Sequence, residues 1–120
     1  MAQFALKVLA PTAAIISASG DIDPEAAWSF RRVLTEGAES GCPLILVDMG
    51  NVAFLDSAGL AVLVGFRRQL PLSQELALCN VPPRMRRVLN IAGTPRLMPV
   101  HAIGEPWEWP DVPQPEAPAS

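Results

Sequence analysis

The chain has 120 residues, of which 50% are hydrophobic and 18% charged. That length suits one domain with a small core, and that composition excludes a largely disordered chain. A net charge of −3 makes no case for nucleic acid as a partner, and no apolar stretch approaches the roughly 20 residues that span a bilayer.

The charge is unevenly placed. Residues 1–62 carry −4, residues 63–101 carry +5 and residues 102–120 carry −4. A basic middle on an acidic chain fits steering toward a protein partner. Cys42 and Cys79 form no CxxC motif and read as reduced thiols packed as small hydrophobes. Lys7 interrupts the only apolar run that could serve as a signal peptide. A soluble, cytoplasmic protein without membrane insertion is expected.

In chain order, "FALKVLA" (4–10) and "AAIISAS" (13–19) read as two strands joined at Pro11-Thr12. "GDIDPEAAWSFRRVLTEGAESG" then opens a helix, with Asp23 as cap, Pro24 at the first helical position and Glu25 at the positive end. Phe30, Leu34 and Ala38, with Ala26, Ala27 and Val33, form its core stripe. "PLILVDM" (43–49) is apolar without a break, as in a central strand covered on both faces. Residues 52–55 lead to Asp56, and a second helix is expected over 57–70, ending before Pro71. "ELALCNV" (75–81) is another strand. "PPRMRRVLNIAG" (82–93) is a third helix, with Met85, Val88, Leu89 and Ala92 inward and Gly93 as its stop. "RLMPVHAI" (96–103) can hold an edge strand. The order β-β-α-β-α-β-α-β predicts an α/β domain with a mixed, mostly parallel sheet.

Residues 104–120 include five prolines and are expected to be extended or disordered. Trp107 and Trp109 stand out there, either folding back onto the domain or forming a docking peptide.

The junction "NVAFLDSAGLAVLVGF" (51–66) concentrates the chemistry. Ser57 has three readings. It can be the N-cap of the second helix, a role worth about 1 kcal/mol, with Gly59 allowing close packing. It can be a nucleophile, but that needs a base, and the single histidine, His101, lies near the last strand. The sequence is not G-x-S-x-G, and it contains no phosphate-binding glycine loop and no His/Cys cluster for a metal. Enzymatic chemistry, a cofactor and a metal are therefore not expected. The third reading is a phosphoacceptor at an exposed rim, where Asp21, Asp23 and Asp56 would converge if the "GDID" loop reaches it.

The helix behind Ser57 favours a partner. Leu60, Leu63, Val64 and Leu70 can serve the core, while Val62 and Phe66 fall on another arc, either covered by a neighbouring helix or exposed for docking. Arg67, Arg68, Arg84, Arg86 and Arg87 are solvated faces or anchors for an acidic partner.

"GDID", "LILVDMGNVAFLDSAGLAVL" and "LCNVPPRMRRVLNIAGTPRLMPVH", in this order and spacing, resemble the STAS domain over about residues 4–103, and within it the bacterial anti-sigma factor antagonists. The most specific element is Asp56-Ser57-Ala58-Gly59-Leu60. The resemblance implies a binding protein rather than an enzyme. Its unmodified form would bind an anti-sigma factor, often a serine-protein kinase, and so free a sigma factor for transcription. The kinase would phosphorylate Ser57 and end binding, and a PP2C-type phosphatase would reset it. Asp21, Asp23, Asp56, Ala58, Gly59, Val62 and Phe66 would form the partner-binding surface. Two features depart from the family: Asp21 stands where Glu is commoner, and a proline-rich tail replaces a further helix. The competing expectation is a STAS subunit of an ABC-type phospholipid transport complex, binding an ATPase subunit without phosphorylation.

Overall fold

The computed structural model describes residues 1–105, 109 and 111–118. The elements follow the expected order: β1 (Gln3–Leu9), β2 (Ala13–Ile22), α1 (Pro24–Glu39), β3 (Leu44–Leu55), α2 (Ser57–Gln69), β4 (Glu75–Val81), α3 (Pro83–Ile91), a 3-10 turn (Thr94–Arg96) and β5 (Val100–Ala102). The five strands form one sheet in the order β1-β2-β3-β4-β5. β1 is antiparallel to β2, and each later pairing is parallel.

This order has a consequence for the layers. Each crossover steps to the next strand in the same direction, and parallel crossovers share one hand. All three helices therefore cover the same face. The larger core is built on that face. Ile16, Ile22, Ile45, Val47, Met49, Leu76 and Leu78 of the sheet meet Phe30 and Leu34 of α1, Leu63 and Phe66 of α2, and Met85 and Leu89 of α3. Phe4 and Phe30 stack with ring centroids 5.2 Å apart, seating α1 over the β1 edge as well.

The consecutive apolar residues Leu44–Val47 of β3 are explained by its two faces. Ile45, Val47 and Met49 join the helix-side core, while Leu44 and Leu46 join a second cluster with Ala13, Ala77 and Cys79. Among the described residues, no helix covers that second face. Val112 and Trp109, from the C-terminal segment, pack there instead. Trp107 lies outside the described residues.

Several expectations shift. β2 continues through Gly20-Asp21-Ile22, and β3 through residues 52–55, because the two pair in parallel as far as Ile22 and Leu55. The last strand is only three residues long, since Thr94–Arg96 winds into the 3-10 turn first. In α3 only Met85 and Leu89, one turn apart, turn inward. Val88 is 45% exposed and Ala92 is exposed, so the inward stripe is narrower than the apolar pattern suggests. Gly93 takes a left-handed φ of 78° just past the helix, as a stop requires.

No helix among the described residues is long and apolar enough to cross a membrane.

Candidate functional site

The site lies where β2 and β3 end side by side. Asp21 pairs with Phe54 and Ile22 with Leu55. The backbone N–H of Asp56 then donates to the Ile22 carbonyl at 3.2 Å, one step beyond the ladder. Asp23 and Asp56 thus leave adjacent strand ends together, and each starts a helix. Asp23 Oδ1 accepts from the Ala26 N–H at 2.9 Å. Asp56 Oδ1 accepts from the Ala58 and Gly59 N–H groups at 2.9 and 3.0 Å. This pairing brings the backbone of Asp21, Asp23 and Asp56 to one end of the sheet.

The cap of α2 is Asp56, which corrects the expectation for Ser57. Asp56 has extended backbone angles and a side-chain oxygen that reaches two first-turn donors. Ser57 is already the first helical residue. It is exposed, and its hydroxyl has no capping duty.

Gly59 is set by packing. A Cβ there would lie 2.6 Å from Leu55 Cδ1 and 2.8 Å from Ile22 Cγ2. The start of α2 therefore sits directly on the strand ends, and any larger residue would force Leu55 and Ile22 to shift. Ala58 and Val62 are half-buried beside it. Phe66 is 9% exposed and belongs to the helix-side core. The open question about its arc is settled in favour of covering, and Phe66 presents no docking surface.

The rim carries apolar surface that sequence reasoning missed. Phe54 is 53% exposed, and a shallow groove of about 160 Å³ beside it is lined by Val52, Leu55, Pro82, Arg84, Met85 and Val88. Phe54 was hidden inside a presumed connector. The visible signal was strand-like sequence continuing past Gly50 to Leu55.

His101 is remote from Ser57 in the sheet order. It lies on β5, with β4 between it and β3. There its Nδ1 is 3.4 Å from Glu105 Oε2, and its ring meets Trp109 edge-on. Glu105 also accepts from Arg86 Nη1 at 2.8 Å and from the Ala102 N–H at 2.9 Å. Burial pushes the Glu105 carboxyl up, but the bonds from Arg86 and Ala102, with the nearby charges, win and hold it below its ordinary value.

A one-sided α/β domain with a serine at the rim of its parallel strands defines a recognisable class. The family model for the STAS domain matches residues 5–103, and the chain belongs to that family. It is 31% identical over 91 residues to the anti-sigma F factor antagonist of Paenibacillus polymyxa, covering 72% of this chain and 76% of that protein. It is 31% identical over 87 residues to the anti-sigma-B factor antagonist of Staphylococcus aureus, covering 72% and 81%. The fold of an anti-sigma factor antagonist from Mycobacterium paratuberculosis superposes with a TM-score of 0.76 at 21% identity, over 84% of this chain and 86% of that one.

Proposed function

We propose that this protein is an anti-sigma factor antagonist. It binds an anti-sigma factor while Ser57 is unmodified and releases it once Ser57 carries a phosphate. The names of the relatives support the class of partner. The observation that carries the switch is the exposed Ser57 hydroxyl at the first position of α2, with the cap already supplied by Asp56.

The electrostatics follow from that arrangement. A phosphate brings about −1.5 to −2 of charge at neutral pH. The Ala58 and Gly59 N–H groups already bond Asp56, so they are not free to fold the phosphate into the helix end. The helix dipole still favours an anion there, and α2 stays formed. The added charge projects from the rim beside Asp21, Asp23 and Asp56. A partner seated on that rim and on the neighbouring Phe54 is repelled without any refolding of this domain.

In this reading the chain supplies only an acceptor hydroxyl. A serine-protein kinase, itself the anti-sigma partner, delivers the phosphoryl group, and a PP2C-type phosphatase hydrolyses the ester. The setting is cytoplasmic transcription control. Incubation with the cognate kinase and ATP, followed by site mapping by mass spectrometry, tests the acceptor. Phosphate on Ser57, and none on Ser57→Ala, is the expected result. Modification elsewhere, or none at all, contradicts it.

A further inference from the structure

The second sheet face is closed by a segment that belongs to no regular element. Residues 111–118 contain Pro113, Pro115 and Pro118 and form neither helix nor strand. Proline lacks the N–H that a β-ladder needs, so such a segment can lie on a sheet but cannot extend it. Side-chain contacts of the described residues seat it on the sheet. Val112 is 4% exposed and packs with Leu44, Leu46, Ala77 and Cys79, with Trp109 beside it. Asn80 Nδ2 donates to the Glu116 carbonyl at 3.0 Å. Gln114 Nε2 donates to the Glu105 carbonyl at 3.1 Å.

The sheet has features that receive this segment. Asn80 has a left-handed φ of 51° where the β4–β5 register shifts, and it is only 4% exposed. Asn tolerates that conformation better than most residues. Its amide bonds Asp48 Oδ1 at 3.2 Å as well as Glu116, so it spans from β3 to the segment. At Gly50 a Cβ would come 3.0 Å from Pro118 Cγ, so a bare backbone admits the segment's end.

We propose that the C-terminal segment is a strap that closes the helix-free face of the sheet and opens as a unit, independently of the domain beneath it. The helix-side core holds β1–β5 and the three helices together without it. Residues 111–118 add no backbone ladder to the sheet, and a segment held without one is a region of low local stability on a stable base. Restricted prolines lower the entropy lost when it seats. When the strap lifts, it uncovers Leu44, Leu46, Ala77 and Cys79, a face opposite the helix layer.

The two cysteines report on this directly. Both are buried, but Cys79 lies under the strap whereas Cys42 follows α1. Alkylation of the full chain with iodoacetamide, read for each cysteine by peptide mass spectrometry, separates strap opening from global unfolding. Each cysteine in a variant is compared with its own rate in the parent chain, because burial and the Asp48 charge already hold the Cys79 thiol above its ordinary value. Val112→Asp should speed Cys79 by about tenfold or more, leaving Cys42 unchanged, since a buried apolar anchor is lost. Trp109→Ala should act in the same direction. Equal acceleration of both cysteines would make the segment part of the global folding unit. No acceleration of Cys79 in either variant would show that the segment does not shield it. Either result overturns the proposal.

Discussion

The Asp56 N–H donates to the Ile22 carbonyl at 3.2 Å, immediately after the Ile22–Leu55 pair, and ties the start of α2 to the strand that leads into α1. One hydrogen bond thus places two aspartate caps and one exposed serine on a common rim. The geometry makes neighbouring residues do different work, and mutations should separate them.

Asp56→Ala removes an acceptor from two N–H groups, whereas Ser57→Ala removes an exposed hydroxyl. Urea denaturation should show a loss of about 1 kcal/mol, within 0.5–2, for Asp56→Ala. Ser57→Ala should stay within about 0.5 kcal/mol of the parent. The reverse ranking would mean that Ser57 is the cap.

Gly59→Ala places a methyl group against Leu55 and the branched Cβ substituent of Ile22, both buried. Overpacking of this kind costs about 1–3 kcal/mol. Thermal or urea unfolding should show that loss, together with weaker partner binding, because α2 must lift from the strand ends. An unchanged midpoint would mean that the helix start is not seated as described.

Much of this was legible in the sequence. The apolar runs placed each strand, and the four consecutive apolar residues Leu44–Val47 announced a strand covered twice. What covers the second face was not legible, because a proline-rich segment has no periodicity that points to a partner surface. Ser57 and Asp56 are both good capping residues, so residue type could not choose between them. The choice rests on where the backbone leaves β3. Gly20-Asp21-Ile22 resembled a loop because glycine and aspartate are poor strand formers, and pairing with β3 overrode that preference.

Glu105 gives a pH signature. Its carboxyl sits below its ordinary value in the folded chain, whereas a glutamate in an unfolded chain titrates at about 4.3. A depressed carboxyl adds stability above the unfolded value and loses it as pH falls through the folded one. Glu105→Gln has no such group. Within the carboxylate range, the stability advantage of the parent over this variant should shrink as pH drops below about 4.3. Chemical denaturation at a series of pH values checks this. An advantage that grows with acid would contradict the Arg86–Glu105 assignment.

Ser57→Asp carries less charge than a phosphate but places it at the same rim. It should fold like the parent by circular dichroism and bind the anti-sigma factor at least tenfold more weakly, about 1.4 kcal/mol, through like-charge crowding with Asp21, Asp23 and Asp56. A Ser57→Asp chain that binds normally would place the contact surface elsewhere.

The central claim is that one phosphate on Ser57 decides binding without unfolding the domain. Isothermal titration of the cognate anti-sigma factor with unmodified and Ser57-phosphorylated chain tests it most directly, with circular dichroism of both forms alongside. The unmodified chain should bind tightly, the phosphorylated chain should bind at least about a hundredfold more weakly, and the two spectra should superimpose. Equal affinity of the two forms, or loss of helix on phosphorylation, would contradict it.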